Sequence, residues 1–333
     1  MREGLTWVDA ALVWEYTGDQ SRKEQGPLSI CPYWGAARPV AEFGSAEVEL
    51  PPKEMCRMNS TGQRMKQDWE SYDSVATIYD SLVVPHEDAL PARDLVAILR
   101  VPVGGLVLDV GTGTGVAALL AQKAVGAEGV VVGLDSSLEM LRVALAKGVS
   151  GLVAGVVPGL PFRKGVFDAV LANFVLSHFT RYDKALIDMV RVLKPGGRVG
   201  VTAWGAGKSE FSEVWQDTVD SFISRDILHS AGRQAIPWEE WFSDAKHLQE
   251  AFQDVGLVSI ELQQREYQVS VTVADYLAIR ETFLYARLMR HTLSAAAWER
   301  FREQVAEAFQ ARFREPIEYT NHVHLAVGTK PHA

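Results

Sequence analysis

Val107-Leu108-Asp109-Val110-Gly111-Thr112-Gly113-Thr114-Gly115-Val116-Ala117-Ala118-Leu119-Leu120 reads as a short apolar strand, a turn with glycine at every second position, and the start of an apolar helix. Alternate glycines permit positive φ and let a ligand approach where a Cβ would block it. The turn also presents the free N–H groups of a helix N-terminus, which favour anionic groups. Twenty positions after Gly115 stands Asp135, closing the apolar run Val130-Val131-Val132-Gly133-Leu134. A carboxylate at the end of a second strand is placed to accept hydrogen bonds from two ribose hydroxyls. The stretch therefore predicts an α/β domain that holds a nucleoside.

Two readings of the turn compete. Gly113-x-Gly115-x-x-Ala118 fits a dinucleotide fingerprint, a weak signal when it stands alone. The second reading is D-x-G-x-G-x-G, with Asp109 at the strand end. It resembles motif I of the class I S-adenosyl-L-methionine (SAM)-dependent methyltransferases. A turn that meets a pyrophosphate gains nothing from the extra carboxylate of Asp109. The resemblance implies a Rossmann-like α/β fold: a seven-stranded, mostly parallel sheet with an antiparallel last strand, plus a helical or loop cap. It implies SAM as cofactor, with Asp109, Gly111, Thr112, Gly113 and Gly115 along its methionine part and Asp135 and Ser136 at its ribose. A nicotinamide-dependent Rossmann oxidoreductase and a SAM-binding protein without catalysis stay open.

Composition narrows the classes. The 333 residues are 47% hydrophobic and 23% charged, enough for a substantial core. A formal net charge of −9 gives no help to binding a phosphate backbone, so no nucleic-acid partner is expected. The two cysteines, Cys31 and Cys56, show no metal-ligand spacing. No run of eighteen apolar residues appears and Met1-Arg2-Glu3-Gly4 starts no signal segment. A cytoplasmic protein without stable membrane insertion is the expectation.

Residues 1–66 carry many breakers (Gly26-Pro27, Pro32, Gly35, Pro39, Pro51-Pro52) and read as a poorly ordered or irregular extension. The methyltransferase domain then spans 67–333. Trp69, Tyr72, Val75, Ala76 and Tyr79 recur at helical spacing. They resemble the Y-x-x-x-A-x-x-Y-D segment that precedes motif I, which implies a cofactor contact for Tyr79. A second helix is expected over Pro91–Leu99. After Asp135, Ser136 or Ser137 N-caps a helix that brings in Met140, implied to lie against the adenine. Leu152–Val157 is the third strand. Relatives carry an aspartate for the adenine amino group where this chain has Val156, so backbone near Val156 and Val157 takes that task.

Phe167–Asn173 is the fourth strand, and Asn173 with the loop after it resembles motif IV of small-molecule methyltransferases. The loop lacks the [DN]-P-P-[YF] signature of enzymes that methylate exocyclic or amide nitrogens. Arg191-Val192-Leu193-Lys194-Pro195-Gly196-Gly197-Arg198 resembles the turn of the type-11, ubiquinone/menaquinone-methylase-like branch. His178 is the leading candidate for a general base, ahead of His229, Tyr182 and Glu240. Residues 205–246, with scattered aromatics, and 273–313, read as two helices, are cap insertions. Trp238 and Trp241 are the candidate contacts to a small, largely apolar or aromatic methyl acceptor. Arg287, Arg290, Arg300, Arg302, Arg312 and Arg314 read as a solvated helix face. His322 and His324 form half a metal site at most, so no metal is assigned.

Overall fold

The computed structural model describes residues 12–15, 38–39, 68–207 and 209–332. Its strands are β1 (Leu12–Glu15), β2 (Arg38–Pro39), β3 (Leu106–Val110), β4 (Val130–Asp135), β5 (Gly151–Ala154), β6 (Phe167–Ala172), β7 (Leu193–Trp204), β8 (Val258–Val271) and β9 (Ile317–Thr329). They form one sheet in the order β2-β1-β5-β4-β3-β6-β7-β9-β8. From β1 to β7 the neighbours run parallel, while β9 is antiparallel to both β7 and β8. Strands β3 to β9 are the seven expected. β1 and β2 add an edge from the N-terminal extension, the remainder of which lies outside the described residues.

The chain order reverses at β3, whose neighbours β4 and β6 lead to opposite edges. Ligands of open α/β sheets bind at the carboxyl ends beside such a reversal. Side chains alternate across β3 and β4. Leu108, Val110, Val132 and Leu134 enter one core layer, and Val107 and Val131 the other. Asp109 falls on the Val107 side with no exposed surface.

Helices cover both faces. On the Val107 side α1 (Ala76–Ile78) runs through a π-helical stretch (Tyr79–Asp88) into α2 (Ala89–Leu99), with α3 (Val116–Val125) and α4 (Leu138–Ala146) beside it. On the other side lies α5 (Tyr182–Val192), which buries Ala185, Leu186, Met189 and Val192 at spacings of one, three and three. Next come α6 (Glu210–Asp220), α7 (Arg225–Ala235), α8 (Glu239–Phe242) and α9 (Ala245–Asp254). Three more, α10 (Val273–Thr282), α11 (Leu284–Thr292) and α12 (Ala295–Arg312), connect β8 to β9. Helices α6, α7 and α10–α12 share a third core around Trp215, Tyr276, Phe301 and Phe309, which also takes Val83.

Several expectations need correction. The third strand ends at Ala154, and Gly155 turns its N–H to the carbonyl of Asp135 at 2.9 Å. Residues 273–313 hold three helices, because Phe283 and Leu293 leave helical geometry at ψ 160° and 149°. Residues 205–246 are mainly helical. Ser209 caps α6 with a reciprocal bond to Ser212, and Ser224 caps α7 through Asp226 N–H. The expected turn 194–198 is an outpouching within β7, whose register to β6 jumps from Leu193 to Arg198.

Candidate active site

The glycine turn is built from the backbone outward. Gly111 and Thr112 both donate N–H to Leu134 O, at 2.7 and 2.9 Å, which fastens the turn to the end of β4. Gly111, Gly113 and Gly115 have φ of +68°, +54° and +87°. A Cβ on Gly111 would stand 2.4 Å from Val175 Cγ2, whereas at Gly113 nothing lies within 4 Å. Gly113 therefore borders open space, as a cradle for a ligand requires.

Two carboxylates flank this turn. Gly113 N–H donates to Asp135 Oδ2 and Ser137 N–H to Oδ1, both at 2.9 Å. A carboxylate has about four acceptor positions, so these bonds orient Asp135 without exhausting it. Asp109 accepts from Thr112 Oγ1 at 2.7 Å through Oδ2, and its buried Oδ1 has no partner. Burial pushes the Asp109 carboxyl up to about 7; Thr112 and the Ala118 backbone pull it down, and the charge of Asp135 adds to the rise. The Thr114 hydroxyl is likewise buried without a partner.

The N-terminal helical segment is pinned against this site. Asp73 Oδ1 accepts from Ser137 Oγ at 2.5 Å and from Glu139 N–H at 3.2 Å, at the start of α4. Ser137, the N-cap, also receives Met140 N–H. Tyr72 meets Tyr79 edge-on at 5.7 Å and His178 at 5.9 Å, and Arg287 lies 4.0 Å over its ring centre. Tyr79 donates its hydroxyl to Asp88 Oδ2 at 2.8 Å. Burial pushes the Asp88 carboxyl up to about 7, opposed by that bond and reinforced by Glu87.

Beyond β6, Thr202 Oγ1 donates to Asn173 Oδ1 at 2.9 Å and accepts Phe174 N–H at 2.8 Å. Phe174 takes φ +52° and stacks on Trp204 at 4.0 Å. A left-handed phenylalanine is strained, and such residues gather at functional sites. The turn sends the chain into the 3₁₀ segment Leu176–His178, which puts His178 beside Tyr72.

The sequence candidates thus divide. Asp109, Gly111, Thr112, Gly113, Gly115 and Asp135 come together at the ends of β3 and β4, with Asn173 and His178 past β6 and Tyr79 against Tyr72. Ser136 is exposed beside Asp135, Val156 is 55% exposed and Val157 half-buried. Met140 is 3% exposed and offers a ligand little surface. Trp238 meets Tyr182 at 4.7 Å and donates Nε1–H to Thr180 O, near the His178 loop. Trp241 stacks on His247 at 3.5 Å and is 43% exposed, apart from these groups.

Three features escaped the sequence reading. Arg287, taken as part of a solvated face, is only 5% exposed. Its position between Leu284 and Leu288 on the apolar stripe of α11 was the available signal. Glu87 and Asp88 are buried in the stretch between the two expected helices, which continues as helix through Pro85. Glu239 of α8 is open to solvent yet ringed by protein; burial pushes its carboxyl up and Arg280 opposes this. Of the histidine pair, His324 Nε2 lies 2.8 Å from Ser243 O and His322 faces Glu266. Among the described residues no group of His, Cys, Asp and Glu forms a metal site. No described helix is long and apolar enough to cross a membrane.

Comparison with known proteins decides between the open readings. A family model described as a methyltransferase domain matches residues 108–201. The chain is 34% identical over 173 residues to the demethylmenaquinone methyltransferase of Lactococcus lactis, a match covering 47% of this chain and 68% of that protein. The chain belongs to the class I SAM-dependent methyltransferases. This methyltransferase is also 36% identical over 148 residues to the ubiquinone/menaquinone biosynthesis C-methyltransferase UbiE of Xylella fastidiosa, over 42% of this chain and 57% of that protein. It thus spans little more than half the length of that relative. Among solved structures it is similar to the YcgJ protein of Bacillus subtilis, with a TM-score of 0.47, 21% identity and coverage of 73% and 99%. The cofactor of the methyltransferase is SAM. The open space at Gly113 and the unpartnered buried oxygens of Asp109 and Thr114 fit such a group.

Proposed function

We propose that this chain transfers a methyl group from SAM to a small, largely apolar or aromatic metabolite, by in-line displacement. The observation that carries the reading is Asp135, held by two backbone N–H groups at the lip of a glycine turn that borders open space. Asp135 and Ser136 would hold the ribose, Gly111–Gly115 the methionine part, and the backbone at Val156 and Val157 the adenine edge. Asn173, at the end of β6, would join the residues that bind the cofactor. SAM supplies an electrophilic methyl on a sulfonium, so the chain's own work is alignment and exclusion of water. Tyr72, His178 and the α8 segment would close over the reacting atoms, and His178 would take a proton where the acceptor must lose one.

The names of the two relatives support a quinone-type acceptor. The net charge of −9 supports a small molecule over a nucleic acid, and a cytoplasmic setting goes with this reading. Titration calorimetry with S-adenosylhomocysteine tests it. The wild-type chain should bind it and ignore NADH. Asp135→Ala should lose about 1.5–3 kcal/mol, the range for hydrogen bonds to a charged group. Unchanged affinity in a folded Asp135→Ala protein would remove the ribose from this carboxylate.

A further inference from the structure

Arg280 of α10 is held by ring faces rather than by charges. Its guanidinium carbon lies 5.8 Å from the Trp215 ring centre and 5.3 Å from that of Phe283. Aromatic faces fix the guanidinium plane without consuming its N–H donors. Nε is buried with no hydrogen-bond partner, and the side chain makes no ion pair among the described residues. Glu87 and Glu239 are the carboxylates that face it, and both act on it only at longer range.

Two further donors of the same layer are also buried without partners, Arg287 Nη2 and Asn321 Nδ2. Arg287 commits Nε to Trp69 O at 2.9 Å and Nη1 to Thr282 O at 2.6 Å, neutral acceptors that leave its charge uncompensated. Asn321 lies alongside Glu87, which accepts the Tyr319 hydroxyl at 2.7 Å, yet its amide makes no hydrogen bond of good geometry. Arg287 links α10 to Tyr72: its Nη1 bonds Thr282 O, two residues after Arg280, and its guanidinium lies over the Tyr72 ring. Against these three donors stands one orphaned acceptor next to Glu87, Asp88 Oδ1. Buried donors without acceptors are costly, and a ligand with paired oxygens satisfies them.

We propose that Arg280, flanked by Arg287 and Asn321, binds a carboxylate carried by the methyl acceptor, on the side of α10 that Arg287 joins to Tyr72. The inference deepens the methyltransferase reading and rests on it. It distinguishes this acceptor from a purely apolar one: one end of the molecule is acidic.

The test uses fluorine NMR of 4-fluorobenzoate and 4-fluorobenzamide, added to the full chain saturated with S-adenosylhomocysteine. The benzoate should bind, and the benzamide should bind about tenfold more weakly or worse. Arg280→Gln should weaken the benzoate by about tenfold or more while S-adenosylhomocysteine affinity is unchanged. Arg280→Lys keeps a positive charge opposite Glu87 and Glu239, and so serves if the glutamine variant does not fold. It should still weaken the benzoate severalfold, because an ammonium lacks the planar fork. Absent benzoate binding, equal affinity for acid and amide, or unchanged affinity in a folded Arg280 variant overturns the proposal. S-adenosylhomocysteine bound without benzoate sinks this inference alone. Failure to bind S-adenosylhomocysteine sinks the methyltransferase reading beneath it.

Discussion

Gly111 and Gly113 answer two different demands with one residue type. At Gly111 a methyl would collide with Val175, and φ is already left-handed; at Gly113 only the φ is unusual. Gly111→Ala should therefore lower the melting temperature strongly, with partial recovery in Gly111→Ala/Val175→Ala. Gly113→Ala should cost about 1–2 kcal/mol of stability from backbone strain alone, yet weaken S-adenosylhomocysteine because its methyl fills the cradle. Melts and titrations on the three variants check this, and a Gly113→Ala protein with full affinity would move the ligand elsewhere. The buried carboxyls give a pH signature. Asp88 and Asp109 rise from the ordinary 3.8 to about 7 on folding, mainly through burial. The unfolded chain ionises them first, so their contribution is fully present below about 3.8 and is lost as pH rises through 7. Melting temperature should fall between about pH 4 and 7, and fall less in Asp88→Asn. Parallel curves for the two proteins would show that Asp88 is not the group titrating.

At the scale of elements, the helical layer rests on its own aromatic centre. Phe301 is fully buried and meets Trp215, Trp298 and Phe222 at 5.3, 5.3 and 5.6 Å. Phe301→Ala should cost about 3–5 kcal/mol, whereas Trp241→Ala, which removes an exposed ring stacked on His247, should leave denaturant midpoints nearly unchanged. The strands and helices around the glycine turn were legible because their apolar spacing and caps agree: Ser137 caps α4 as its position before Leu138 implies. Residues 205–246 were not, since a helix restarts at Ser209 and again at Ser224, and each run is too short for a steady period to emerge. Arg280 could not be singled out either. Its aromatic flanks come from Trp215 and Phe283, and the first lies sixty-five positions away in sequence. The carboxylate at Asp135, in contrast, depends on neighbours that the motif itself contains.

For the whole molecule, the sheet edge beyond β5 is supplied by the N-terminal extension. Leu12–Glu15 pair with Gly151–Ala154, four residues against four. The gathered site residues begin at Tyr72, so a chain starting near Gln63 should keep its affinity for S-adenosylhomocysteine. It should also present β5 as an open parallel edge, which invites association. Calorimetry and light scattering on the shortened chain separate the two effects. Lost affinity would tie the extension to the cofactor, and a monodisperse sample would show that the edge is protected by other means.

The hairpin of β8 and β9 reaches further than the sheet it joins. β9 is paired to β7 only from Thr329 to Val323, while its pairing to β8 continues to Val271 and Ile317. From those two adjacent tips hang α10, α11 and α12, with Arg280 and Arg287 among them. The chain thus leaves and re-enters its scaffold at a single rung of a ladder. In the language of design this makes residues 272–316 a cassette, with both splice points held in register by the arm itself. Exchanging it between family members asks for two neighbouring junctions and keeps the glycine turn and Asp135, provided the graft matches its contacts to Tyr72 and Trp215. A graft of that kind should carry acceptor preference with it, and selectivity in this lineage becomes something that can be transplanted rather than rebuilt residue by residue.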